Sequence, residues 1–195
     1  GTYDSDLHSG ELNYCLDESP GQTWIIGLRY LNLADEFHAD VDFAGIPTFD
    51  FDNRLETENH LFGLQVGAEA DLYTCRMGTY RLQGFIKAGV YGAESEYDVQ
   101  VSQVFPPFLP INNAGSDDDS DAAFVGETGL TLHRQLSYNT SLMLGYRILW
   151  IDGVALASEQ IDNKGPLNPP PIAIQVDNDG SVFFHGLSLG VEYRY

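Results

Sequence analysis

The 195-residue chain has little positive charge and no long apolar run. Lysine and arginine together number 9 against 29 aspartate and glutamate residues, which gives a formal net charge of −20. Such a surface repels nucleic acid and attracts cations or basic partners. The absence of any apolar run of about 18 residues excludes a transmembrane helix. It does not exclude a membrane barrel, because a barrel strand needs only about 9–11 residues with a weak alternating signal.

Cysteine is scarce and no leader segment is recognisable. Cys15 and Cys75 are either two unrelated thiols or a disulfide formed in an oxidising compartment. Both fall near predicted short turns at the same end of the predicted sheet, so a Cys15–Cys75 disulfide is a candidate. The first residue is Gly1 and no charged n-region precedes an apolar h-region, as expected of a mature chain or a fragment.

Motifs for catalysis are also missing. The five histidines are scattered without zinc-site spacing. There is no glycine-rich phosphate loop before a helix and no C-x-x-C pair. We therefore expect no enzyme, no catalytic residue and no bound organic cofactor.

What the sequence does contain is a strand pattern with one apolar and one mixed side, seen most clearly in Thr140–Ala157. Because successive side chains of a strand point to opposite faces, alternate residues form two separate sets. One set is wholly apolar: Leu142, Leu144, Tyr146, Ile148 and Trp150. The other contains a glycine and an arginine: Met143, Gly145, Arg147, Leu149 and Ile151.

Six further segments repeat this alternation, which predicts seven antiparallel strands in one domain over 1–195. The acidic start, residues 1–6, is predicted to be loop. Short connections are predicted near 15–22, 73–79 and 135–139, and long acidic or proline-rich loops near 34–53, 101–121 and 158–180. In up-and-down order all short turns lie at one end and all long loops at the other, as in bacterial outer-membrane barrels.

The composition of the two faces favours a transmembrane barrel over a soluble ligand-binding barrel. In the former the apolar set faces lipid and the polar set faces the lumen. The predicted lumen-facing charges have mixed sign and could pair across the interior: Glu11, Arg29, Glu69, Lys87, Glu127, Arg147, Glu192 and Arg194. Glu127, on the preceding strand, is the expected partner of Arg147. Aromatic residues near the predicted strand ends form a candidate interfacial girdle: Tyr14, Trp24, Tyr30, Trp150, Phe183, Tyr193 and Tyr195.

Seven strands cannot close an antiparallel barrel, because the first and last strands then run in the same direction. Bacterial single-chain barrels have even strand numbers. We therefore expect either an eighth strand hidden in a long loop, or that the chain is the C-terminal part of a larger barrel.

Four segments together carry a family resemblance: His60–Gly67, Phe85–Gly92, Phe124–Leu130 and Gly145–Leu156. They resemble the planctomycete-type family of outer-membrane β-barrel porins, over about residues 2–157 and more loosely through the last strand. The resemblance implies an outer-membrane location and additional N-terminal strands. It brings no catalytic residue.

The expected function is that of a porin or passive diffusion channel with acidic extracellular loops. The alternatives are a structural or adhesive surface barrel with a plugged lumen, and a soluble ligand-binding barrel. Expected partners are outer-membrane lipid and cations or basic cell-surface components, and homo-oligomer formation stays open. Asp177 and Asp179, in an Asp-Asn-Asp-Gly run, are weak Ca²⁺ candidates, although a solvated turn is the simpler interpretation.

Overall fold

The fold is a single antiparallel sheet of seven strands that curves into a half-barrel. The computed structural model describes residues 2–42, 50–104, 111–157 and 179–193. The strands are β1 (Thr2–Ser19), β2 (Gln22–Asp42), β3 (Asp50–Thr74), β4 (Tyr80–Val104), β5 (Ile111–Gln135), β6 (Thr140–Val154) and β7 (Gly180–Tyr193). Over these ranges no helix is long and apolar enough to cross a membrane.

The strands follow one another in sequence order, each paired antiparallel with the next. The all-β antiparallel up-and-down fold predicted from the sequence is thereby confirmed. β1 and β7 form the two edges of the described sheet. A buried apolar core lies on the concave face, where inward side chains of several strands meet.

The connections at one end are tighter than predicted. The β1–β2 connection is only Pro20 and Gly21, and Gly21 has a φ of +83°, which suits a residue without a side chain. Residues 75–79 connect β3 to β4, and residues 136–139 connect β5 to β6. Most of the predicted turn 15–22 is therefore strand.

At the other end, much of what was predicted as loop is strand. Strands β1 to β5 continue through residues 2–6, 34–42, 50–53, 101–104 and 111–121, all predicted to be loop. The predicted loop 158–180 lies almost entirely outside the described residues. The acidic composition suggested loops, but alternation of period two continues beyond the apolar part of β3 and β4, with charged residues now on the outward set.

This reversal divides each long strand into two zones. On β4, Ile86 and Val90 point outward while Lys87 points inward, whereas farther along Glu94 and Glu96 point outward and Tyr97 is buried inside. A strand whose outer face changes from apolar to acidic passes from an apolar to an aqueous environment. We call the parts of β1–β5 with polar outer faces the strand extensions.

The candidate Cys15–Cys75 disulfide is not formed, since both thiols are free, which was the other alternative left open by the sequence. Cys15 lies within β1, where it pairs with Ile25, which in turn pairs with Gly67 on β3. Cys75 lies in the β3–β4 turn, eight residues beyond Gly67. At about 3.3 Å of rise per residue, that separation far exceeds the Cα–Cα distance of about 7 Å that a disulfide can span.

Candidate functional site

The convex face of the half-barrel carries a continuous apolar band. On β3 it runs from Phe62 to Leu72, and the large side chains of this outward set, Phe62, Leu64, Val66 and Leu72, are exposed. A stretch of that length matches the roughly 9–11 residues of a tilted strand that spans a bilayer. Large exposed apolar side chains occur on the same outward set in every strand, among them Leu12, Leu28, Leu64, Ile86, Leu130, Leu144 and Leu187.

Six of the predicted girdle aromatics lie on this outer surface and are exposed: Tyr14, Trp24, Tyr30, Trp150, Phe183 and Tyr193. Tyr195 lies outside the described residues. Tyr30 was predicted to lie near a strand end. This is wrong, because β2 continues to Asp42. It lies instead at the border of the band, where its hydroxyl is 2.8 Å from Nδ1 of His60.

The concave face carries the predicted charges, and two arginines converge on Glu127. Nη1 of Arg29 lies 2.5 Å from Oε2 of Glu127, and Nε of Arg147 lies 3.2 Å from Oε1. Arg29 and Glu127 are buried, whereas the Arg147 side chain is 63% exposed. The structure thus brings Arg147 to the partner expected for it, and adds Arg29 from across the sheet.

A second group forms around Glu11. Nζ of Lys87 donates hydrogen bonds of 2.8 and 2.9 Å to the two Glu11 oxygens. Nε2 of Gln65 donates to Oε2 of Glu11 at 2.6 Å and to Oδ1 of Asn13 at 2.8 Å. The carboxylate is therefore held by one cation and one buried amide, and Gln65 links strands β1 and β3.

A third group lies toward the short turns. Gln83 donates to Glu69 at 2.8 Å, and His133 lies 3.2 Å from the Gln83 oxygen. Arg81 is 3.8 Å from Asp71. Glu192, half-buried on β7, faces the same end of the sheet. Arg194 lies outside the described residues.

Gln65, Gln83 and Asn13 are site residues that the sequence did not single out. Each lies on the inward set of its strand, beside a charge of that set. They could have been found as uncharged polar residues on the same inward-facing set as the charges. A buried carboxylate needs hydrogen-bond donors as well as cations nearby.

Aromatic rings and glycines complete the lining. The Phe85 ring lies 5.6 Å from Nζ of Lys87 and 5.4 Å from the Arg147 guanidinium carbon, within cation–π range. The buried Tyr91 ring lies over Gly89, where a Cβ would approach its Cε2 to 2.8 Å and the Leu64 carbonyl oxygen to 2.5 Å. Glycine at this position leaves the space that the ring occupies.

Asp35, on the β2 extension, is buried on the concave side, and neither of its carboxylate oxygens has a hydrogen bond within the described part of the chain. Burial raises the pKa of this carboxyl, and the nearby hydroxyls of Ser5 and Tyr3 only partly oppose the shift. Thr57 is the cross-strand neighbour of Asp35, and its hydroxyl is buried without a partner as well.

Clusters of three or more potential metal-ligating side chains do not occur among the residues that the structure describes. Of the two Ca²⁺ candidates, Asp179 is exposed and Asp177 lies outside the described ranges. The calcium hypothesis stays a prediction.

An apolar convex band, a charged and hydrogen-bonded concave face and up-and-down hairpins together define a porin-type β-barrel sheet. The chain belongs to the family described as "Putative beta barrel porin-7 (BBP7)", which matches residues 3–195. This confirms the barrel-porin resemblance and the fold class. Comparison with curated proteins gives no match.

Proposed function

We propose that the protein is a passive diffusion channel of a bacterial outer membrane. The observation that carries the proposal is the division of the two faces. The exposed apolar band suits lipid, while the inward set carries paired charges of both signs. Rings of charged side chains in a lumen select ions by sign. The family assignment supports a porin, and through it an outer-membrane location.

The strand extensions belong on the outer side of the membrane in this proposal. Outer-membrane barrels have short periplasmic turns and longer extracellular connections. The extensions lie opposite the short turns and present carboxylates outward, among them Glu36, Glu58, Glu94 and Glu96. Outer-membrane lipid is then the partner of the band, and cations or basic surface components are partners of the extensions.

The test is reconstitution of the full chain into planar bilayers. Stepwise conductance increases on addition of the protein are the expected result, together with recovery of the protein in the outer-membrane fraction of its host. A protein that folds in detergent and enters vesicles but gives no conductance would contradict the channel. Recovery in the soluble fraction without detergent would contradict the membrane location as well.

A second candidate is a structural or adhesive surface barrel whose lumen is plugged. It is favoured by the buried apolar core on the concave face, which lies beside the charges. Conductance separates the two candidates, because a plugged barrel would insert and remain silent. The third alternative, a soluble ligand-binding barrel, is opposed by the exposed leucines, valines and aromatics of the band.

A further inference from the structure

The end of β6 turns away from the barrel wall at Gly153. The ladder between β6 and β7 shifts register between Asp152 and Val154, and Gly153 has a φ of +82°. A Cβ at this position would lie 2.9 Å from the Ala122 carbonyl oxygen. Only glycine fits both the backbone conformation and the space, so the bend is built into the sequence.

Beyond the bend, Val154–Ala157 is buried against the concave face. The exposed fractions of its four residues are 0%, 0%, 5% and 0%. Val154 and Leu156 pack into the same apolar cluster as inward residues of the wall, and Ala155 and Ala157 pack with Leu55 and Tyr97 on the β3 and β4 extensions. Burial raises the pKa of the Tyr97 phenol to about 12, so the ring stays neutral there.

The side chain of Asn59 also binds this segment through two hydrogen bonds. Asn59 on β3 donates from Nδ2 to the Ala155 carbonyl at 2.8 Å, and its Oδ1 accepts from the Ala155 N–H at 2.8 Å. The Ser95 hydroxyl donates to the same Oδ1 at 2.8 Å. In the sheet, β6 is separated from β3 by β4 and β5. The Asn59–Ala155 pair therefore joins β3 to the segment that follows β6, across the concave space.

The apolar cluster forms a layer next to the charged one. Its inward members come from β2 to β6: Leu31, Leu33, Leu61, Tyr91, Ala93, Ala123, Val125, Leu149 and Ile151, with Leu7 of β1 and Val182 and Phe184 of β7 packed against them. Leu31, Val125 and Leu149 lie two residues along their strands from Arg29, Glu127 and Arg147. The apolar layer and the ion pairs are thus separated by two residues along each strand, a distance of about 7 Å.

We infer that Val154–Ala157 is a constriction segment, held by Asn59, that narrows the lumen on the side of the strand extensions and limits which solutes reach the charged layer. Apolar constrictions restrict permeation by excluding water. The inference rests on the proposed channel function and specifies the element that sets its solute limit.

The test uses the full chain with Cys15 and Cys75 replaced by serine and with Ala157→Cys as a reporter. Asn59→Leu removes both hydrogen bonds to Ala155 at nearly constant volume. We expect this variant to raise single-channel conductance several-fold and to speed alkylation of the reporter cysteine by a water-soluble maleimide at least tenfold. Asn32→Leu is the matched control, because Asn32 lies on the neighbouring strand but bonds to Glu58 and His60 on the outer face. It should change neither readout.

The outcomes separate the two proposals. Unchanged conductance and unchanged alkylation in a conducting Asn59→Leu channel would overturn the constriction and leave the channel function intact. Absence of conductance in every variant, with correct membrane insertion, would overturn the channel function and the constriction with it. If Asn59→Leu does not fold, Asn59→Ser, which truncates the amide, carries the same expectations.

Discussion

At the scale of single residues, Glu127 is the centre of the concave charge network. It accepts a hydrogen bond from Arg29, which is buried, and forms an ion pair with Arg147, which is mostly exposed. The two arginines are therefore unequal. Arg29 has no access to water if Glu127 is lost, whereas Arg147 remains solvated.

This asymmetry predicts different results for two substitutions. Glu127→Leu leaves the Arg29 charge buried without a carboxylate and should reduce stability by about 3–5 kcal/mol. Arg147→Leu should insert normally and change conductance. Urea titration of the folded protein in micelles, followed by gel mobility, measures the first effect, and bilayer recording measures the second. Failure of Arg147→Leu to insert would show that the faces are wrongly assigned.

Gly89 and Gly92 offer a matched pair on β4. Gly89→Ala places a methyl group against the Leu64 carbonyl and the Tyr91 ring, so we expect a loss of about 1–3 kcal/mol from overpacking. Gly92→Ala points outward with no atom closer than 4.0 Å and should be neutral or slightly stabilising. The same urea titration measures the free energy of unfolding of both variants. Equal losses for the two changes would contradict the packing of Tyr91 over Gly89.

Asp35 makes stability depend on pH. Because burial raises its pKa in the folded protein, the native state binds the proton more tightly than the unfolded chain. Its favourable contribution is fully present below the unfolded pKa of about 3.9 and is lost as pH rises through the higher folded pKa. Asp35→Asn should therefore raise the apparent melting temperature at neutral pH by a few degrees.

That gain should be smaller near pH 4 than at neutral pH, because the raised pKa of the folded carboxyl makes it take up its proton as the pH falls. Asp98→Asn is the control, since Asp98 is exposed on the outer face of β4. It should give no gain at neutral pH. A stabilisation by Asp35→Asn that is the same at both pH values would show that the effect is not electrostatic.

At the scale of elements, the strands carry two successive patterns. Within the band, outward residues are apolar and inward residues are mostly polar. In the β3 and β4 extensions the outward residues are charged and most of the large inward residues are apolar. The reversal is visible in the sequence of β4, where Tyr91, Tyr97 and Val99 alternate with Glu94, Glu96 and Asp98. Acidic composition alone suggested loops there, because composition does not distinguish a hydrated strand from a coil.

The seven strands and their faces within the band could be predicted because an apolar face and a polar face impose a period of two on each strand. The contact between Asn59 and Ala155 could not, since it depends on how residues 96 positions apart in the chain meet in space. That Cys15 and Cys75 are too far apart for a disulfide could also not be predicted from the sequence. It follows from the strand register, which separates the two residues along the strand direction.

The lipid-facing assignment can be tested at the centre of β3. Val66→Arg places a charge in the middle of the outward band and should cost about 2–4 kcal/mol of folding stability in vesicles. Glu58→Arg lies on the same face of the same strand but in the extension, and should fold with near-normal yield. Equal yields for both variants would contradict the position of the band.

At the scale of the whole molecule, the two edge strands run in the same direction. Six successive antiparallel pairings separate β1 from β7. Antiparallel closure therefore requires an odd number of additional strands. A second copy in the same membrane orientation would meet this sheet with parallel strands at both junctions, so such a homodimeric barrel would depart from the usual antiparallel order.

The net charge of −20 predicts a cation-preferring channel. Asp119 and Asp121 lie on the inward set of β5 with Val125 and Glu127, on the extension side of the lumen. Asp119→Asn with Asp121→Asn should reduce the cation preference, measured as a reversal potential under a salt gradient. The preference should also weaken in about 1 M salt, where the Debye length falls to about 3 Å.

Glu94→Gln with Asp118→Asn removes two charges from the outer face of the extensions and serves as the control. Its effect on the reversal potential should be smaller than that of the inward pair. An equal or larger effect would mean that the field of the whole surface, and not the lumen mouth, sets the preference.

For the proposed membrane protein, the change of polarity along the strands would also fix the depth at which the sheet lies in a bilayer. Tyr30 and Phe62 close the apolar band on one register row, and the next outward row contains Asn32, His60 and Glu94. If the sheet lay deeper in the membrane by one such row, the Glu94 carboxylate would lie in the hydrocarbon core of the bilayer. The border between the apolar band and the extensions therefore sets the position of the membrane–water interface on the sheet. A bilayer of different thickness would deform to match this border, because a shift of the protein along the membrane normal would bury charge.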